Sequence, residues 1–113
     1  LFLGKTNGDS CYVEVKNCTL VENGAALFPD AVTARGKKHL EELQGLMENG
    51  HRCAMFYLVQ RMDAERFSPA DKIDPAYGEE LRKAVSKGLE IVVYDVRIDL
   101  KQIRINRKIP VVL

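Results

Sequence analysis

The sequence predicts an α/β domain: a mixed central sheet with flanking helices. Three observations carry this. A short stretch alternates strictly between apolar and polar residues, a longer one is apolar on both faces, and amphipathic segments with helix caps lie on either side of it.

The alternating stretch is Cys11 to Lys16. Cys11, Val13 and Val15 point one way, and Tyr12, Glu14 and Lys16 the other. Asn7-Gly8-Asp9 before it is a hairpin turn signal, with apolar Leu1–Leu3 on its far side. Thr33 is placed as the N-cap of a helix from Ala34 to about Asn49, closed by Gly50, with Gly36, Leu40, Leu43 and Met47 as its apolar stripe. Cys53 to Val59 is apolar throughout, which predicts a central parallel strand covered on both sides. A polar loop is expected over 60–73. Asp74 then caps a second helix with Pro75 at its first position, a buried face of Tyr77, Leu81, Ala84 and Val85, and an end at Gly88. Ile91–Ile98 is the next strand, and Ile103–Ile105 and Val111–Leu113 are weaker candidates. Helical crossovers between the strands predict a parallel core.

At 113 residues the chain is one domain's worth, with no repeat or linker to divide it. A composition 46% hydrophobic and 29% charged is that of a globular protein, and no apolar run is long enough to span a bilayer, so no membrane partner is expected. Leu1 to Gly4 have neither an initiator Met nor a signal-peptide layout, and are read as the interior of a larger polypeptide. The net charge of +1 leaves nucleic-acid binding to a local patch. Cys11, Cys18 and Cys53 are an odd set with no C-x-x-C spacing, and His39 and His51 add no ligand-like interval. This argues for buried free thiols in a reducing, cytoplasmic setting and against zinc or a disulfide framework.

Glu14-Val15-Lys16 is the informative triplet. Two residues apart on a strand, the charged side chains share a face with about 6–7 Å between their Cα atoms. The Glu14 carboxylate and the Val15 backbone carbonyl are hard oxygen donors suited to Mg²⁺ or Mn²⁺, and Lys16 is suited to orienting water or stabilising phosphorane charge. Taken by itself, E-x-K is also what the solvent face of any hairpin shows. Ligand sites in open α/β sheets lie beyond the carboxyl ends of the strands. Lys16 is at such an end, and Arg35 and His39, four residues apart, open the following helix. These four are expected to converge, with Gln60 arriving from the central strand. Asp9 is not taken as a ligand, because its odd separation from Glu14 turns it to the other face. A further excess of basic residues runs from Arg97 to Lys108, including Lys101, Arg104 and Arg107, against Asp99 alone. It reads either as a phosphate-contacting patch or as protection of a sheet edge.

Several spaced stretches resemble the sugar fermentation stimulation protein family. They are Cys11-Tyr12-Val13-Glu14-Val15-Lys16-Asn17, Phe28-Pro29-Asp30-Ala31-Val32-Thr33, Arg35-Gly36, Lys38-His39-Leu40, Arg66-Phe67-Ser68-Pro69-Ala70, Ile73-Asp74, Tyr77 and Ile109 to Leu113. The resemblance implies a restriction-endonuclease-like, PD-(D/E)xK core, with residues 1–113 forming the nuclease-like domain that follows an OB-like domain in that family. It implies a DNA-binding protein connected with sugar (maltose) metabolism. Glu14 and Lys16 take the acidic and basic places of the motif, and His39 joins them as a catalytic candidate. Arg35, Lys38, Gln60, Arg104 and Arg107 are candidate DNA contacts. The family's first acid, from an Arg-x-Asp-Phe-like segment, has no counterpart among these residues. Three readings stay open: a DNA-binding module with a nuclease-like metal site, an active Mg²⁺-dependent DNA endonuclease, and a structural or protein-interaction domain. Oligomeric state, homodimerisation included, is open.

Overall fold

The computed structural model describes residues 2–6 and 9–113, with side chains from Cys11 onward. The expected turn at Asn7-Gly8 and the side chain of Asp9 therefore lie outside the described residues.

The main sheet has five strands. β1 (Phe2–Thr6) pairs antiparallel with β2 (Asp9–Cys18), β2 runs parallel to β5 (Arg52–Val59), β5 parallel to β7 (Glu90–Ile98), and β8 (Ile103–Lys108) closes the order β1-β2-β5-β7-β8 antiparallel to β7. The parallel core β2-β5-β7 is the one the crossovers predicted. A second, three-stranded sheet is formed by β3 (Leu20–Glu22), β4 (Ala25–Phe28) and β6 (Arg66–Pro69). It replaces part of the expected 60–73 loop. Its strands are too short for any periodicity to show, and they form because β4 finds β6 far along the chain. Val111 makes only a single bridge, to Phe67, instead of a strand over 111–113.

Helix α1 (Ala34–Glu48) starts where Thr33 accepts the Gly36 N–H at 2.9 Å and ends before Gly50, whose φ of 86° suits glycine. Helix α2 (Pro75–Ser86) is capped by Asp74, which accepts the Tyr77 N–H. The buried residues are Gly36, Leu40, Leu43 and Gln44 on α1, and Tyr77, Gly78, Leu81 and Ala84 on α2. Met47 and Val85, expected inside, are only half-buried.

Both helices and the small sheet cover one face of the main sheet. Leu40, Leu43, Tyr77 and Leu81 share a core with Cys53, Met55, Tyr57, Val59 and Val93, and Phe67 packs its ring 4.4 Å from that of Tyr57. The expectation that β5 is covered on each side is thereby corrected. Phe56 and Leu58, which alternate with the buried set, are half-buried, and the Phe56 ring stacks on Tyr94 at 5.8 Å. Among the described residues no helix lies on that second face. β5 is apolar on both faces because of its sequence, but only one face is covered within these residues. No helix among them is long and apolar enough to cross a membrane.

Candidate functional site

The face of β2 that looks toward the helices carries Tyr12, Glu14, Lys16 and Cys18, opposite Cys53, Met55, Tyr57 and Val59 of β5. A carboxylate and an ammonium therefore stand where an ordinary strand would bring apolar side chains to the core. They are tolerated there because they find each other and His39. The Lys16 Nζ lies 3.3 Å from Glu14 Oε1 and 2.8 Å from His39 Nδ1, and Nδ1 is 3.4 Å from the same Glu14 oxygen. The three side chains are 18%, 12% and 22% exposed in the order Lys16, Glu14, His39, so the cluster is recessed but open to solvent. An ammonium has donors only, so its contact with Nδ1 makes that nitrogen the acceptor and puts the ring proton of a neutral His39 on Nε2. Burial alone would push the Glu14 carboxyl up. The Lys16 ammonium 3.3 Å away pulls it the other way.

The floor of the site is aromatic. Tyr57, the ladder partner of Lys16, shares a 2.5 Å hydroxyl–hydroxyl contact with Tyr77, and Phe28 packs against both rings at 5.3 Å. Burial, together with the neighbouring Tyr77, raises the Tyr57 hydroxyl well above its usual range. Burial likewise raises that of Tyr77, so both hydroxyls are neutral at physiological pH.

Of the four residues expected to converge, Glu14, Lys16 and His39 do. Arg35 lies one turn before His39 and is exposed, as is Lys38, and neither makes an ion pair among the described residues. Gln60 does not join the cluster: it follows the end of β5, and its Nε2 donates at 3.0 Å to Oδ1 of Asn17, which alternation along β2 turns to the face opposite Lys16. Arg104 is exposed on β8. Arg107 is engaged: its backbone N–H and Nε donate to Asp95 at 2.8 and 3.0 Å, and its guanidinium also reaches the Ala64 carbonyl. A cleft of about 500 Å³ lies beside this pair, lined by Met62, Arg97, Asp99 and Asn106 among others, and not at Glu14. Asp74, Asp95 and the Tyr57–Tyr77 pair were not singled out by sequence reasoning as parts of a site. Each looked like an ordinary cap, strand or core residue, and only long-range contacts distinguish them.

The donor set at Glu14 is hard oxygen, which fits a divalent ion of the Mg²⁺, Mn²⁺ or Ca²⁺ kind and not a soft one. Among the described residues no group of three or more His, Cys, Asp or Glu side chains is placed to hold a metal. Glu14 and the Val15 carbonyl would supply the protein oxygens, leaving the remaining positions to water or a ligand.

An E-x-K strand in a parallel sheet core, with a helix-borne His closing over it, defines an α/β domain with a restriction-endonuclease-like core. Residues 1–102 match the model for the sugar fermentation stimulation protein RE domain. Sugar fermentation stimulation protein homologs are similar throughout. The one from Citrifermentans bemidjiense is 52% identical over 103 residues, 91% of this chain and 45% of the homolog. The one from Geotalea daltonii is 50% identical over 109 residues, 96% of this chain and 47% of the homolog. The fold is similar to the structure of Pyrococcus furiosus SfsA in complex with Ca²⁺, with a TM-score of 0.92 and 28% identity over 98% of this chain and 48% of that one. The chain belongs to the sugar fermentation stimulation protein family, and it spans about half the length of these relatives.

Proposed function

We propose that this chain is the nuclease-like part of a DNA-binding protein, with a hard divalent-cation centre at Glu14 and a role linked to sugar metabolism. The observation that carries the reading is the Glu14–Lys16–His39 cluster, all within 3.4 Å, at the carboxyl end of a strand in the parallel core. The similar Pyrococcus furiosus structure is a complex with Ca²⁺, which supports a hard divalent cation in this reading. Mg²⁺ or Mn²⁺ is the cation proposed here, with Glu14 and the Val15 carbonyl as its protein ligands. A divalent ion supplies Lewis-acid stabilisation of a phosphodiester oxygen.

The residues have separable parts. Lys16 is a fixed cation beside the place a phosphate oxygen would occupy, and His39 would present its Nε2–H there as a hydrogen-bond donor. Arg35 and Lys38 are exposed on α1 near His39, and Arg97, Lys101 and Arg104 offer a second basic strip on the β7–β8 hairpin. Phosphate contacts of this kind bind without sequence preference and weaken steeply with salt.

The test is made on the intact protein. Calorimetric titration with Mg²⁺, Mn²⁺ and Zn²⁺ of wild type and Glu14→Gln reads the metal site. DNA binding over a salt series reads the interface, and incubation of DNA with Mg²⁺ reads cleavage. The reading expects Mg²⁺ or Mn²⁺ binding that Glu14→Gln removes. It also expects a log–log salt slope that Arg104→Ala reduces by about one phosphate's worth, roughly 0.9. Cleavage lost in Lys16→Ala and His39→Ala would identify an active endonuclease. Metal binding unchanged in Glu14→Gln, with no DNA affinity, would leave only a structural domain and defeat the proposal.

A further inference from the structure

One carboxylate joins the starts of both helices. Asp74 is 5% exposed, and its Oδ1 accepts the Tyr77 N–H at 3.1 Å, the N-cap bond of α2. Its Oδ2 reaches across the molecule to accept the Thr33 N–H at 2.9 Å. Thr33 is itself the N-cap of α1. A negative charge between two helix N-termini is electrostatically favoured at both.

Packing repeats the connection. Gly36 lies so close to α2 that a Cβ there would stand 3.2 Å from Tyr77 Cε2. Tyr77 is bonded through its hydroxyl to Tyr57, the strand neighbour of Lys16. A continuous set of contacts therefore runs from Lys16 through Tyr57, Tyr77 and Asp74 to Thr33, and α1 carries His39 back over Lys16. A helix rises about 1.5 Å per residue, so a slip of α1 by one residue moves His39 far enough to break its 2.8 Å contact with Lys16.

We propose that Asp74 is a positioning residue of the candidate site: by bridging the N-termini of α1 and α2 it holds His39 Nδ1 on the Lys16 ammonium. The proposal rests on reading Glu14, Lys16 and His39 as one site. It requires two acceptor oxygens at position 74. Asn has the same shape but a single carbonyl oxygen, so one of the two N–H groups would meet an amide NH₂. Ser caps α2 but is too short to serve Thr33 as well.

The experiment compares wild type, Asp74→Asn and Asp74→Ser in the intact protein, using nitrogen NMR of the His39 ring. Amide dispersion verifies the fold. In wild type, His39 Nδ1 gives the signal of a hydrogen-bonded acceptor. Both variants, folded, are expected to lose it; in Asp74→Ser the Thr33 amide, and in Asp74→Asn the Thr33 or the Tyr77 amide, is expected to lose its hydrogen-bonded shift. A folded variant that keeps the Nδ1 bond overturns the proposal. If Asp74→Asn does not fold, Asp74→Ser decides, because Ser is among the preferred N-caps. Failure of the underlying site reading shows elsewhere, as unchanged metal binding in Glu14→Gln, and leaves the ring signal unaffected.

Discussion

Arg107 is expected to matter more to the fold than to any ligand, and its partner makes the cost calculable. Asp95 is 1% exposed, whereas the Arg107 side chain is 49% exposed. Arg107→Ala keeps the backbone N–H bond to Asp95 but removes the Nε bond and the bond to the Ala64 carbonyl, leaving a buried carboxylate with one partner. Breaking a buried pair in this way costs about 3–5 kcal/mol, and the exposure of the arginine moves the expectation to the lower end, about 3 kcal/mol. Asp95→Asn keeps an acceptor of the same shape and leaves an arginine that water can solvate, for about 1–2 kcal/mol. In the double variant no charge is stranded, so its loss should fall at least about 1 kcal/mol short of the sum of the two. Urea unfolding measures all three. With a slope of about 1–3 kcal/mol per molar, Arg107→Ala should lower the midpoint by about 1–3 M. An Arg107→Ala protein within about 0.5 kcal/mol of wild type, or strict additivity in the double variant, would refute the reasoning.

The remaining expectations concern the site and its supports. Gly36→Ala should destabilise the protein by about 1–3 kcal/mol although alanine is the better helix former, because the new Cβ would lie 2.7 Å from Thr33 Cγ2 and disturb the cap; a rise in thermal midpoint would contradict this. Burial raises the Cys18 thiol to about 11 and also raises Cys11 and Cys53, so an aromatic disulfide reagent at pH 8 should label the native protein far more slowly than the urea-unfolded chain.

What the sequence made legible divides by range. Both helices were readable because their signals are local: Thr33 and Asp74 before the first turns, Gly50 and Gly88 after the last, and apolar residues at helical spacing between. The strands of the parallel core were readable because length and apolar content mark them. β3, β4 and β6 were not, since three- and four-residue strands owe their existence to partners elsewhere in the chain, as β4 does to β6, Ala25 facing Arg66. The site follows the same division. The parity of β2 put Glu14 and Lys16 on one face, and the crossover brought His39 over them. The second oxygen of Asp74 and the burial of Asp95 depend on contacts with Thr33 and Arg107, which no spacing within either segment encodes.

The one-sided cover of the main sheet makes neighbouring positions of β5 unequal in what they will accept. Met55, Tyr57 and Val59 are fully enclosed, so trimming any of them leaves a cavity lined by fixed neighbours, at about 2–5 kcal/mol for an aliphatic residue cut to Ala. Phe56 and Leu58 already touch solvent within this chain, and the same cut there removes less contact and opens no enclosed void. A library of substitutions from Met55 to Val59 would therefore alternate, residue by residue, between rejection and acceptance. That two-residue rhythm is absent from the letters themselves, which are apolar without interruption from Cys53 to Val59.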